Sequence, residues 1–354
     1  MINLLTPIDA FTGYGISGYN IWKELYKQHD NLSLFVIGNG NIEMEWDKES
    51  LVKSISHYDS FNKEYPCVKI WHGHDFFSRI AGCSKYGGLS FFELDTISTV
   101  EKASYNTLDI IFAPSKWAKD VLENNGVKSK VVVCPTGVDT NIFDGITPED
   151  KLNDKYIFIN IGKWEVRKGH DVLVNIFNKA FTKDDNVELW MANHNPFLNE
   201  EQRKNWISIY KDSALGDKIR IYPRVPSQKM LSKIMAYTDC GIFPSRGEGW
   251  NNEAVEMMAM NKPIIITNCT AHTEYCNSDN SYLVNIDKNE LANDGIWFKN
   301  NGNWAHIGDN QIDQMVEHMR YVYKNNIRSN SSGLSTARNL SWDKTAKIIS
   351  SNIL

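Results

Sequence analysis

Short apolar runs alternate with amphipathic segments of helical period through most of this 354-residue chain, and no other feature restricts the fold as strongly. A short run bounded by turn-forming residues reads as a strand buried on both faces, and the helical stretch between two runs reads as the crossover a parallel pair needs. The class is α/β. Strands are expected at 2–5, 32–37, 68–71, 88–92, 110–113 and 130–134, with helices over 18–27 and 117–124. A polar stretch rich in Gly, Pro, Asn and Asp at 137–155 reads as a linker. A second series follows, with strands at 156–161, 187–191, 219–222, 240–243 and 263–267 and helices such as 170–180 and 228–236. At about 150 residues per domain the length agrees with two doubly wound domains and a cleft between them. The tract rich in Asn and Ser at 325–332 is expected to be a surface loop.

Composition removes several classes. With 42% hydrophobic and 23% charged residues, a core can form without disulfides or structural metals. Cys67, Cys83, Cys134, Cys240, Cys269 and Cys276 show no C-x-x-C pair and no ligand-like spacing to histidine, so they read as reduced, mostly buried thiols. No apolar run approaches the roughly 20 residues of a membrane span. The N-terminus lacks a basic n-region and a small-residue cleavage site, the pattern expected of a cytoplasmic protein. Residues 1–150 carry 13 Lys and Arg against 20 Asp and Glu, a net of −7, and the remainder carries +2. Polyanions are gripped by basic faces, so the acidic first half disfavours extended contact with DNA or an anionic bilayer, while a local basic patch stays compatible with it.

The chemistry concentrates in SRGEGWNNEAVEMMAMNKPIIITN, residues 245–268, which reads as strand end, glycine-containing loop, helix, turn and strand. Gly247 and Gly249 let the backbone approach a ligand closely. The first N–H groups of the helix, around Asn251 to Glu253, lack intrahelical acceptors and can take a phosphate or sugar oxygen. Glu256, about one turn into the helix, can accept from two ribose hydroxyls, and Glu248 from a second sugar. The alternative is ordinary: Glu248 and Glu253 favour a helix N-terminus through its dipole, and Glu256 is a solvated helix residue.

This segment resembles the E-x7-E motif of family 4 retaining glycosyltransferases, with Glu248 and Glu256 on its two glutamates. The resemblance implies the GT-B fold of two facing Rossmann-like domains, with an acceptor-binding domain at 1–150 and a nucleotide-sugar-binding domain at 151–338. It also implies a last helix within 339–354 that crosses back, matched by LSWDKTAKII, in which Trp342 is core or interface. The family often has Phe-Gly where Trp250-Asn251 stand; Trp250, Asn251 and Asn252 are the expected loop contacts with the donor.

NIGKWEVRKGHDVL, residues 160–173, is similar to the family's diphosphate segment, and places Lys163 and Lys168 on its two basic positions. Fixed cations there stabilise negative charge growing on a leaving phosphate. The family more often has Arg at the position of Lys163, and Arg167, adjacent to Lys168, is a substitute for the missing guanidinium fork; a solvated basic turn is the alternative. In IYPRVPSQKML, Arg224 and Val225 would lie near the nucleotide base, although Arg224 reads equally as a surface charge. WHGHD places His72 or His74 near the donor sugar; a metal pair is the rival, without a third ligand nearby in sequence. FFELD puts Glu93 on the acceptor side. TGYGISGYN carries Gly13-x-Gly15-x-x-Gly18, a poor dinucleotide fingerprint because residues intervene after the strand and no acidic residue ends the next one. Gly15 is instead expected near the donor phosphate, or in a tight turn that starts a helix. Ser115 reads as a helix N-cap or a ligand contact.

These elements imply transfer of a sugar from a nucleotide diphosphate sugar to a hydroxyl acceptor with retention of configuration, needing no metal or other cofactor. The acceptor would be a glycan, a lipid-linked glycan, a small glycoside or a modified nucleobase, chosen by loops such as 39–48 and 76–87. Peripheral membrane contact is compatible with a lipid-linked acceptor. The rivals are a sugar-nucleotide-binding module that kept the fold without catalysis and an NAD-dependent oxidoreductase built on the Gly13 loop.

Overall fold

A computed structural model describes residues 2–10, 12–29, 32–40, 46–57, 61–145 and 154–354. Positions 146–153 of the expected linker and 41–45 of the expected acceptor loop lie outside the described residues. The chain divides into two compact units, 1–139 with 340–354 and 140–339.

The first unit contains β1 (Asn3–Thr6), α1 (Gly13–Gln28), β2 (Ser33–Val36), α2 (Lys48–Ser56), β3 (Cys67–Ile70), β4 (Tyr86–Leu89), α3 (Thr99–Tyr105), β5 (Ile110–Ala113), α4 (Lys116–Asn124) and β6 (Lys130–Val133). Its six strands form one parallel sheet ordered β2-β1-β3-β4-β5-β6. β3 and β5 are buried along their whole length, as strands covered on both faces must be. The strand order reverses between β1 and β3, so the loops that follow these two strands share the carboxyl edge where doubly wound sheets hold ligands. Helix α1 starts at Gly13, ahead of the expected residue 18, because the Thr12 side chain caps it by accepting from the Gly15 N–H. Glycine lowers helix propensity and so hid the first turn. Ser115 proves to be a cap, its Oγ accepting from Ala118 N–H at 3.0 Å.

The second unit contains β7 (Tyr156–Gly162), α5 (His170–Ala180), β8 (Val187–Asn193), α6 (Glu200–Lys211), β9 (Ile219–Ile221), α7 (Gln228–Tyr237), β10 (Cys240–Phe243), α8 (Asn252–Ala259), β11 (Ile264–Asn268), β12 (Tyr282–Asn285), β13 (Asn289–Asn293), β14 (Lys299–Ala305), α9 (Asp309–Lys324) and α10 (Ser331–Asn339). Its parallel sheet runs β12-β11-β10-β7-β8-β9, and β13 and β14 make a separate antiparallel hairpin. Phe158, Leu189 and Ile242 from the sheet pack with Leu173 and Phe177 of α5 and Met315 and Met319 of α9 in one core. Here the order reverses between β7 and β10. The hairpin is absent from the sequence expectation because NELAN and KNNGNWA carry too few apolar residues to alternate. The tract 325–332, expected as loop, gives its last two residues to α10. The final helix, α11 (Trp342–Ile353), returns to the first unit: Trp342 is 5% exposed within that unit's core, and Thr345 Oγ1 donates to Pro135 O at 2.7 Å. Among the described residues no helix is long and apolar enough to cross a membrane.

Candidate functional site

At the switch point of the second unit, the loop after β7 carries Lys163 and Lys168 and the loop after β10 carries Glu248. Gly169 joins them. Its φ is 73°, and a Cβ there would stand 2.0 Å from Pro244 O, so a side chain at this position would force the loops apart. The closure is then fastened by the backbone, Arg246 N–H donating to Arg167 O at 2.7 Å. Arg246 also holds Asp171 at the start of α5 through two bonds of 2.8 and 2.9 Å. Arg246 lies inside the E-x7-E segment but played no part in the sequence expectation.

The closed loops gather Glu165, Arg167, Lys168 and Glu248, all buried. Lys168 Nζ and Ser245 Oγ donate to Glu248 Oε1 at 2.8 and 2.9 Å, and Arg167 Nη1 donates to Glu248 Oε2 at 2.7 Å. Arg167 also donates to Gly247 O at 2.7 Å and, through Nε and Nη2, to Glu165 Oε2 at 3.0 and 2.7 Å. Burial opposes ionisation of Glu248, yet the charges of Arg167 and Lys168 outweigh it and hold the carboxyl well below its ordinary range. Glu165 is lowered by the same balance, with burial opposed by Arg167, Lys163 and Lys168. Lys168 loses hydration on burial, but Glu248 and Glu253 keep its pKa above the ordinary lysine value. Arg167, expected as a stand-in at the phosphate, is a strut between two buried carboxylates.

The remaining expected residues separate by exposure. Lys163, with 42% of its side chain exposed, reaches Glu165 Oε1 at 3.1 Å. Glu256 is buried on α8, and Gln228 Nε2, at the start of α7, approaches it at 3.4 Å. Burial, then the charge of Glu253, raises the Glu256 carboxyl well above its ordinary value, so the picture of a solvated helix residue does not hold. Trp250 Nε1 and Asn252 Oδ1 are buried and have no hydrogen-bond partner among the described residues. Asn251 differs from both. At φ 79° it is the left-handed N-cap of α8, its Oδ1 accepting from Ala254 N–H at 3.3 Å and its Nδ2 donating to His272 Nε2 at 3.0 Å. Arg224 is exposed and Val225 half-buried in the segment between β9 and α7.

Two fully buried histidines, His170 and His272, brace these loops, and neither is singled out in the sequence. His272 Nδ1 donates to Thr267 O at 2.8 Å, which leaves Nε2 to accept from Asn251. Glu165 N–H donates to His170 Nδ1 at 3.0 Å, so His170 Nε2 donates to Asn160 Oδ1 at 2.8 Å. Each set of partners needs a neutral ring with one defined tautomer. Burial pushes His170 down to about 3, helped by the charge of Lys168, and pushes His272 down to about 4 despite the attraction of Glu248. An unfolded chain protonates both near pH 6.5 while the folded one does not, so these groups withdraw stability as pH falls from about 6.5 toward those values. Between pH 7 and 4.5, His272 should account for a loss of about 2 to 3 kcal/mol. Urea unfolding of the wild type and of His272→Gln at both pH values checks this. Equal losses in the two proteins would refute it, since the carboxylates contribute alike to both.

In the first unit the switch point joins the loops after β1 and β3. Tyr14 lies against Trp71, His72 and Phe91, with ring centroids 5.4, 4.8 and 5.1 Å away, and its hydroxyl pins the end of β4 by accepting from Phe91 N–H at 3.0 Å. His72 and His74 are exposed and stack at 5.6 Å; Glu93 is half-buried. The Gly15 N–H is taken by Thr12 Oγ1 at 3.0 Å, and a Cβ on Gly15 would lie 2.3 Å from Asp9 O. Gly15 therefore meets the needs of a helix start and of a close backbone approach. Among the described residues, no three His, Cys, Asp or Glu side chains gather into a group that could hold a metal.

A family model described as "Glycosyl transferases group 1" matches residues 155–298. The chain is 26% identical to a GDP-mannose:cellobiosyl-diphosphopolyprenol alpha-mannosyltransferase of Xanthomonas oryzae pv. oryzae, over 65% of this chain and 57% of that protein. It is also 26% identical to an uncharacterized glycosyltransferase of Methanocaldococcus jannaschii, over 48% of this chain and 42% of the relative. The chain thus spans about half the length of these curated relatives. Among solved structures, sucrose-phosphate synthase from Thermosynechococcus elongatus superposes with a TM-score of 0.74 at 14% identity, covering 99% of this chain and 97% of that one. Anabaena HepE in complex with UDP-glucose gives 0.74 at 12%, covering 99% and 98%. At such identities the likeness shows the fold, which is GT-B: two Rossmann-like α/β units, each on a parallel six-stranded sheet.

Proposed function

We propose that this chain transfers a sugar from a nucleoside diphosphate sugar to a hydroxyl acceptor, with retention of configuration and without a metal. The observation that carries the reading is the buried cluster of Glu165, Arg167, Lys168 and Glu248 at the β7/β10 switch point, where doubly wound sheets bind nucleotides. With Lys163 the cluster holds three cations against two carboxylates, and the surplus positive charge suits a diphosphate. Lys168 and Lys163 stabilise the charge that grows on the diphosphate as the glycosidic bond breaks. Glu248, oriented by Arg167 and Ser245, accepts from a hydroxyl of the transferred sugar, and Glu256 accepts from the ribose hydroxyls. Trp250 Nε1 at the end of that loop and Asn252 Oδ1 at the start of α8 offer a buried donor and acceptor, and Arg224 and Val225 flank the base. The first unit carries its own candidate contacts, His72, His74 and Glu93, for a sugar or hydroxyl acceptor of the glycan or lipid-linked glycan class.

The glycosyltransferase match over 155–298 and the relatives named above support this reading. Incubation with UDP-, GDP- and ADP-hexoses and a panel of hydroxyl acceptors should release nucleoside diphosphate and yield an α- or β-linkage matching the donor. No release from any combination would sink the transferase assignment, and an inverted linkage would sink retention. Glu256→Gln should weaken binding of the cognate nucleoside diphosphate by roughly two- to tenfold, since losing one hydrogen-bond acceptor costs about 0.5–1.5 kcal/mol. Calorimetric titration reads this directly, and unchanged affinity would remove Glu256 from the ribose site.

A further inference from the structure

Beside the ion cluster the second unit exposes two aromatic rings that the donor site does not use. Phe197, in the loop after β8, is 62% exposed, and Trp297, at the tip of the β13–β14 hairpin, is 50% exposed. Their centroids lie 5.8 Å apart with the planes at 72°, and Lys163 Nζ stands 5.7 Å from the Phe197 centroid.

Both rings stand on built turns. Phe197 N–H donates to Asn195 Oδ1 at 3.0 Å, while the fully buried Asn195 donates from Nδ2 to Trp164 O at 3.0 Å, one residue from Lys163. At the hairpin tip a single oxygen of Asp294 accepts from the N–H groups of Ile296, Trp297 and Phe298 at 2.9, 2.7 and 2.8 Å. The hairpin base is tied to the Glu248 loop, with Ala305 N–H donating to Arg246 O at 2.8 Å. The hairpin therefore reaches from the loop after β10 to the loop after β8 and fixes Trp297 against Phe197. Large rings held rigidly in solvent mark a binding surface more than a chance exposure.

We propose that Phe197 and Trp297 form a saccharide-binding platform, continuous through Lys163 with the donor loops, that stacks on the pyranose rings of a glycan acceptor. The apolar C–H faces of a pyranose bury against aromatic faces, and its hydroxyls pair with groups that both donate and accept. The hairpin supplies such groups in the exposed amides of Asn293, Asn300 and Asn301. Its charge argues against a lipid surface: Glu290 and Asp294 outnumber Lys299 over 289–305, whereas attraction to an anionic leaflet needs a basic cluster. The acceptor role rests on the transferase reading; saccharide binding does not.

The wild-type chain is titrated with soluble glucose-, mannose- and galactose-based di- and trisaccharides, with UDP, GDP and ADP, and with phosphatidylglycerol vesicles. At least one saccharide should bind, and the double variant Phe197→Ala/Trp297→Ala should weaken it about tenfold or more, with its circular dichroism and melting temperature kept. The proposal is overturned if the wild type binds no saccharide, if the double variant binds equally well, or if the rings support vesicle binding alone. Failure of all three nucleotides to bind the wild type would count against the donor site and leave the saccharide result to be read by itself.

Discussion

Lys168→Met should lower turnover of the cognate sugar nucleotide by about 10²- to 10³-fold, the cost of removing one preorganised charge-stabilising group from a dry site. Methionine keeps most of the buried stem, and Glu248 retains Arg167 at 2.7 Å and Ser245 at 2.9 Å, so the loss should appear in kcat and leave the fold in place. Lys163 cannot restore the rate, because 42% of its side chain meets solvent and its charge is screened there. Steady-state release of nucleoside diphosphate, alongside the melting temperature, gives the answer. A rate within about threefold of wild type would remove Lys168 from the role assigned to it.

Arg167→Met should destabilise the protein by about 3–5 kcal/mol, because breaking a buried ion pair leaves charge uncompensated. Two carboxylates each lose one cationic partner at once: Glu165, which receives Arg167 at 2.7 Å, and Glu248, also at 2.7 Å. Lys163 and Lys168 remain near them and keep the expected cost toward the lower end of that range. By contrast, Lys179 and Asp313 are paired with more than half of each side chain exposed, and truncating either should change stability by less than about 1 kcal/mol. Urea unfolding of the two variants side by side separates the cases, and a loss under about 1 kcal/mol for Arg167→Met would show that the cluster is not the buried strut described above.

Much of the candidate site is readable from residue type and order. Lys168 and Glu248 are chemistry-bearing residues on glycine-containing loops at strand ends, and the structure brings them to 2.8 Å. What resisted reading is explained by the same physics. His170 and His272 act through neutral rings and single backbone partners, an arrangement that leaves no composition or spacing to detect. Arg246 and Glu165 read as ordinary loop charges until the fold buries them. Asn251 sits in the loop expected to contact the donor, and what residue type did not announce is that its left-handed backbone and two side-chain bonds also make it the cap that starts α8. The β13–β14 hairpin escaped because its pairing is held by backbone bonds and by Trp304 and Ala305 at its base, with little apolar alternation along its strands.

The sequence alone determined the α/β class and most strand positions, because burial on both faces demands continuous apolar runs and crossovers demand amphipathic helices between them. It also singled out the loops after β7 and β10, which the structure brings together. Strand order was left open, since every parallel arrangement of the same runs buries similar surface. Only the tertiary structure placed β7 beside β10 and β1 beside β3, and those two adjacencies turn separate basic, acidic and aromatic loops into sites. They also settle the charge states: Glu248 is ionised and His272 neutral because of what the fold packs around each, a property that residue identity does not carry.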